Sequence, residues 1–225
     1  MHTLVLASQK GGSGKTTLAA HLAVAVERAG AGPAVLIDTD PQGSLSRWWN
    51  KREAPSPAFA DASVRQLPEK LAALARDGFA WCIVDTPPAD GAQNSKVIAA
   101  ADLVLIPTRP SPHDLDALGA TLELCHAASR RHVFVVNAAK GNASITVQTV
   151  TALSEHGQVA PAIVADRVLF ASAMIDGRTV FDVDPAGRAA EEMAALYKFV
   201  NSVFTEKRKD AKRKEKALVE ARSPD

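Results

Sequence analysis

Residues 10–17 read Lys10-Gly11-Gly12-Ser13-Gly14-Lys15-Thr16-Thr17, between an apolar β-like run at 3–7 and a helical pattern at 15–29. Three glycines in four positions let a backbone turn tightly around an anion and point successive N–H groups inward. A helix beginning directly after the loop adds the partial positive charge of its free amides. Lys15 is spaced to reach the outer phosphates of a polyphosphate, and the Thr16 hydroxyl to ligate Mg²⁺. The order strand, glycine loop, helix therefore implies an α/β fold whose first strand delivers a phosphate cradle made of Gly11 to Thr17.

The rest of the chain continues that alternation. Short Val, Leu and Ile runs at 34–38, 81–85, 103–107, 133–137 and roughly 160–164 lack inside/outside alternation, as strands buried on both faces of a parallel sheet do. Helical patterns at 63–77, 91–100, 112–129 and 145–156 separate them. In the first helix Leu18, Leu22, Ala25 and Val26 share a face, and Gly30 is placed to stop it. The expected fold is a mostly parallel twisted sheet with helices on both faces. Residues 53–62, with Pro55 and Pro57, read as a surface connection, and a last helix should start near Pro185.

Two strand ends carry carboxylates. Asp38-Thr39-Asp40-Pro41-Gln42-Gly43 follows the run at 34–38, and Asp85-Thr86-Pro87-Pro88 closes the run at 81–85. Residues at the carboxyl ends of parallel strands project into the crevice where such sheets bind ligands. An apolar run ending in one Asp is also how a carboxylate is presented to a nucleotide-bound Mg²⁺.

Composition bounds the remainder. In 225 residues, 47% of them hydrophobic, one substantial core is expected. Residues 205–225 hold eight Lys/Arg against five Asp/Glu, net +3, while residues 1–204 hold 18 against 20, net −2. A domain over 1–204 with a basic tail over 205–225, helical or disordered, is the expected division. Cys82 and Cys125 sit in apolar patterns without disulfide or metal spacing. With neither a signal-peptide pattern nor an apolar run of ~20 residues, the expected location is cytoplasmic.

The loop departs from the common G-x-x-x-x-G-K-[ST] pattern: Gln9 stands where the first glycine would be, and Lys10 follows it. In this the sequence resembles the deviant Walker A family of P-loop ATPases, which includes ParA, MinD, the arsenite-pump ATPase and nitrogenase iron protein. D-x-D-P-Q-G and D-T-P-P extend the resemblance to ParA-type ATPases over most of residues 1–200. The resemblance implies slow, partner-stimulated ATP hydrolysis in a homodimer that sandwiches ATP. Lys10 would reach the other subunit's nucleotide, and Asp40 would position the attacking water. Asp38 and Asp85 would organise Mg²⁺ with Thr16.

Several branches of the family are separated by particular residues. Guanine-specific relatives use N-K-x-D, where this chain has Asn137-Ala138-Ala139-Lys140. Adenine is the better reading, with Asn137, Asp184 and Pro185 expected to border the base, although Asn137 is equally a strand-end cap. Exposed cysteines for an iron–sulfur cluster are not evident, and no acceptor-site or lid motif suggests a kinase. The tail has charges all round and lacks an aromatic or leucine face, which disfavours a MinD-like membrane helix, with Leu218 and Val219 keeping that alternative open. The remaining branch binds DNA non-specifically and positions plasmid, chromosome or another large cargo. It does so with a ParB-like or cargo-adaptor activator at the nucleoid. With the sequence starting at Met1, the helix-turn-helix extension of larger ParA proteins is not expected. Phosphate-contact candidates are Arg167, Arg178, Arg188, Lys198 and the tail residues Lys207, Arg208, Lys209, Lys212 and Arg213.

Overall fold

The computed structural model describes residues 1–88, 91–141 and 143–220, with the side chains of residues 143 and 207–220 outside that description. Among the described residues seven strands form one sheet in the order β3-β2-β4-β1-β5-β6-β7, and every neighbouring pair is parallel. The strands are β1 His2–Leu6, β2 Ala34–Asp38, β3 Ala58–Phe59, β4 Trp81–Asp85, β5 Leu103–Thr108, β6 His132–Val136 and β7 Gln158–Val159. Five of them match the expected runs to within a residue. The run at 160–164 does not continue as a strand, because Pro161 has no N–H to donate to a ladder. Ala160 and Val164 still donate to the carbonyls of Phe134 and Val136, so the segment follows β6 after β7 ends. The short edge strand β3 lies inside what the sequence presents as a plain connection.

The helices are α1 Lys15–Arg28, α2 Ser44–Trp49, α3 Leu67–Arg76, α4 Gly91–Ala99, α5 Pro112–Asp116, α6 Leu118–Ala127, α7 Ala143–Ser154, α8 Val168–Ala173, α9 Val180–Val183 and α10 Arg188–Glu220. Gly30 ends α1 as expected. It takes φ 65° and donates to Glu27 O while Ala31 donates to Val26 O, the paired bonds of a Schellman motif. The helix expected over 112–129 is broken at Ala117 into α5 and α6. The last helix starts at Arg188, three residues later than expected, because Gly187 first closes a turn by donating to Asp184 O.

Both faces of the sheet are covered. Leu4, Leu6, Leu36, Ile83 and Leu105 pack with α1, α9 and α10, while Val5, Ile37, Val84 and Ile106 pack with α3, α4 and α6. Alternate strand residues are thus apolar in both directions, which removes the polar period. Cys82 and Cys125 lie in the second layer, where burial pushes their thiols up to about 12 and about 11. Both are inert packing residues. On the first face α10 seals the sheet's entry end: the Phe204 ring lies 4.4 Å from His2 and 5.0 Å from Trp81. The α10 backbone then continues unbroken past residue 204 to Glu220. Lys207, Arg208, Lys209, Lys212 and Arg213 lie on that extension, outside the described side chains. No described helix is long and apolar enough to cross a membrane.

Candidate functional site

Strand order and register gather the sequence motifs at one end of the sheet. β4 lies between β1 and β2, and Asp85 is paired in register with Leu6 on one side and Asp38 on the other. The glycine loop after β1 and the acidic ends of β2 and β4 are therefore adjacent, though far apart in the chain.

Within the loop, Gly12 and Gly14 take φ values of 72° and 96°, a region that side chains with a Cβ resist. Gly14 caps α1 without any side-chain bond, and the amides of Lys15, Thr16 and Thr17 have no intrahelical acceptor by helix geometry. Free amides at a helix start can seat an anion. A Cβ at Gly14 would strike the Asn137 amide, whose Nδ2 donates to Ser13 O at 2.7 Å. That bond ties the tip of β6 to the loop. The Ser13 hydroxyl is buried with no protein partner among the described residues.

Behind the seat is a buried polar array. Lys15 is 7% exposed, and its Nζ donates to Ser8 O at 3.0 Å and Lys10 O at 3.4 Å. Burial pulls its pKa down, against the attraction of Asp85 and Asp40. Thr16 Oγ1 donates to Asp85 Oδ2 at 2.5 Å, and the Thr86 amide to Asp85 Oδ1 at 3.0 Å. Asp85 is fully buried, and desolvation pushes its pKa up to about 7, with the Thr16 bond acting in the opposite sense. Asp38 is raised by the same cause. Its two oxygens accept from the amides of Asp40 and Ser46, each at 3.0 Å, so β2 holds the start of α2 in place.

The donors fit Mg²⁺. A hydroxyl and a buried carboxylate, with Lys15 as the cation acting on Asp85, make a one-sided set, suited to an ion that keeps water and phosphate oxygens at its other positions. Among the described residues no group of three or more His, Cys, Asp or Glu could hold a metal, so phosphate would have to complete the shell. Thr16 and Asp85 would hold the ion directly. Asp38, with both oxygens engaged by amides, would act on its water shell.

A hollow of about 590 Å³ opens over the loop, walled by Lys15, Thr16, Asp40, Arg47, Lys51 and Arg109 among others. A smaller one of about 190 Å³ adjoins it, walled by Asn137, Ala138, Asp166, Arg167 and Phe170. Asn137 therefore lines the small hollow while also capping the loop. Asp184 and Pro185 do not line this hollow. The capping box at Thr179 and Asp182, and Arg28 stacked over Phe181 at 5.5 Å, hold their segment at the far end of α1. There Pro185 lines a different hollow with Lys198. The wall of the small hollow on that side comes from residues 164–167, 170 and 171.

Lys10 is exposed on the outer turn of the loop, and Asp40 stands in the wall of the large hollow. Among the expected DNA contacts, Arg167 is paired with Glu192 at 2.6 Å and Arg178 with Asp176 at 2.7 Å, while Arg188 and Lys198 are exposed. Arg47, Lys51 and Arg109 were not anticipated. Arg47 follows the acidic motif on α2, and Arg109 stands one residue past a strand end, so position at the crevice was the signal available for the latter.

Similarity to known proteins agrees with this geometry. Residues 4–217 match the CobQ/CobB/MinD/ParA nucleotide binding domain. Maintenance of carboxysome distribution protein A of Halothiobacillus neapolitanus is 30% identical over 199 residues, covering 84% of this chain and 91% of that protein. Protein ParA of Rhizobium radiobacter is 36% identical over 126 residues, about half of each chain (55% and 56%). The septum site-determining protein MinD of Pyrococcus horikoshii, complexed with Mg-ADP, superposes with TM-score 0.75 over 90% of this chain and 96% of its own at 17% identity. Apo McdA of Cyanthece gives 0.73 over 88% and 98%, also at 17%. These two share the fold. Glycine loop, acidic strand ends and family match converge: the chain belongs to the CobQ/CobB/MinD/ParA nucleotide-binding domain family.

Proposed function

We propose that this protein is an Mg²⁺-dependent ATPase that works as a nucleotide-joined homodimer and positions a large cargo along DNA. The observation that carries the proposal is the array of buried Lys15 and Asp85 with half-buried Thr16 beneath an open phosphate seat, with Lys10 left exposed on the loop's outer turn. Lys15 stands ready to move from two carbonyls to phosphate oxygens. Bound Mg²⁺ would add positive charge against the β- and γ-phosphates. Asp40, at the hollow's wall, orients the attacking water, and Lys10 of a second subunit completes the cation set. Catalysis of this kind rests on placement and electrostatics, so a site missing its second subunit is slow.

The dimer reading is supported by apolar exposure beside the site: Val168 is 85% and Ile175 69% exposed, next to residues that wall the two hollows. Non-specific DNA binding is assigned to Arg188, Lys198 and the cations of the α10 extension, Lys207, Arg208, Lys209, Lys212 and Arg213. Arg167 and Arg178 are weaker candidates, since each already has a carboxylate. The carboxysome-distribution relative supports cargo positioning, and we assign stimulation of hydrolysis to a cargo-adaptor protein.

Lys10→Ala tests the scheme. It should bind ATP yet fail to form the ATP-dependent dimer in sedimentation, and fail to retard random-sequence DNA in a mobility shift. Normal dimerisation and hydrolysis by Lys10→Ala would sink the two-subunit site. ATP-dependent pelleting of the parent with anionic liposomes, without a DNA shift, would replace the nucleoid by a membrane surface.

A further inference from the structure

Among the described residues four cations wall the large hollow, and three are occupied. Lys15 donates to the carbonyls of Ser8 and Lys10, Arg47 to Gln42 O and Ser44 Oγ, and Lys51 to Ile175 O. The fourth, Arg109, stands at the tip of β5, the strand flanking β1 on the side away from β4. Its guanidinium has no hydrogen-bond or ion-pair partner among the described residues, and Asp166 across the smaller hollow forms none with it. It lies against the glycine loop: a Cβ built on Gly12 would stand 3.3 Å from Nη2 and 3.8 Å from Cζ.

Arg109 also lines both hollows, as do Gly14 and Thr17. A mononucleotide with its outer phosphates in the large hollow and its base in the small one must cross at these three residues. The part that crosses is the ribose and the α-phosphate, and only the α-phosphate carries charge. A planar guanidinium with five donors suits that oxygen pair.

We infer that Arg109 binds the α-phosphate side of the nucleotide held by its own subunit, and so sets affinity for ADP and ATP alike. This rests on the nucleotide reading above and adds to it a cation outside the family loop. It separates two tasks. Lys15 and Lys10 meet the outer phosphates, whose charge changes during hydrolysis, whereas Arg109 meets a group that both substrate and product contain. Its binding energy is therefore uniform across the reaction, and its loss shows in KM rather than in kcat.

The test is calorimetric titration of ADP and ATP into the parent, Arg109→Ala, Arg109→Lys and Lys15→Ala chains, with thermal unfolding of each ligand-free chain. An exposed side chain without partners contributes little to folding, so the ligand-free midpoint of Arg109→Ala should match the parent's. Affinity for both nucleotides should fall about tenfold, as for loss of one charge-assisted hydrogen bond. Arg109→Lys should recover part of the loss, since the charge remains without the fork. Unchanged ADP affinity in Arg109→Ala overturns the assignment, and if Lys15→Ala still loses binding, the nucleotide reading survives that failure. A loss confined to ATP also overturns it, by placing Arg109 at the γ-phosphate or on the partner subunit. A parent chain that binds neither nucleotide sinks the nucleotide reading itself.

Discussion

The cations of the strand-tip crevice and those of the late helices share chemistry and differ in environment. Lys15 is buried, and three elements converge on it: the ends of β1 and β4 and the start of α1. Arg167, Arg178, Arg188 and Lys198 lie at or near the surface, and the first two are already paired with Glu192 and Asp176. A charge kept out of water costs several kcal/mol unless something answers it, so a buried lysine in an open hollow points to a ligand. A solvated charge costs nothing to keep and indicates no particular partner. Burial makes Lys15 identifiable, whereas an exposed cation such as Arg109 is identified only by its place between the two hollows.

Replacing Lys15 by Ala presses that contrast hardest. Loss of a buried point charge facing a triphosphate should weaken ATP binding by about a hundredfold or more. Titration showing unchanged affinity would leave the crevice no different from the surface.

The buried groups should also produce a pH signature that the exposed ones do not. His21 is enclosed between Thr17 O and the Val180 amide, and burial pulls it down to about 4 from 6.5. Between those values the unfolded chain holds the extra proton, so this part of the stability is lost as pH falls from 6.5 through 4, by about 3 kcal/mol. Asp85 has the opposite sign: with its pKa pushed up to about 7 from 3.8, the folded chain holds the extra proton. Its contribution falls as pH rises through that window, by about 4 kcal/mol in the ligand-free protein. The two nearly cancel in the parent. Urea midpoints should therefore climb from pH 4 to 6.5 in Asp85→Asn and decline over pH 4 to 7 in His21→Gln, relative to the parent. Parallel pH profiles for all three chains would remove both groups from the balance.

Smaller effects are expected on the outer surface. Arg188→Ala and Lys198→Ala should each weaken ATP-dependent DNA binding by roughly threefold and lower the dependence on log salt by about one unit per lost phosphate contact. Arg178→Ala should change it less than either, because the arginine already has Asp176. A larger loss from Arg178→Ala would reverse the ranking of free over paired cations. Smallest of all, Arg178→Ala should leave the thermal midpoint within measurement error, since an exposed ion pair is screened by solvent.

How much of this was legible beforehand depended on whether the information was local. The glycine loop, the strand ends at Asp38 and Asp85 and the stop at Gly30 were readable, because each is enforced by backbone geometry or by apolar runs within a few residues. Other features depended on contacts between segments distant in the chain. Pro161 ended a strand that its apolar neighbours promised. Ala117 divided a continuous helical pattern. The Thr179 capping box drew Asp184 and Pro185 to the far end of α1 and left the small hollow to Asp166, Arg167 and Phe170.

By itself the sequence determined the class of fold and the phosphate cradle, since only a strand, a glycine loop and a helix in that order satisfy these residues. The tertiary structure alone decided the rest of the site. Inserting β4 between β1 and β2 set Asp38 beside Asp85, and placing β5 on the other flank of β1 brought Arg109 to the loop. Such neighbours are chosen by which faces the sheet and helices can bury together, and no short stretch of sequence contains that information.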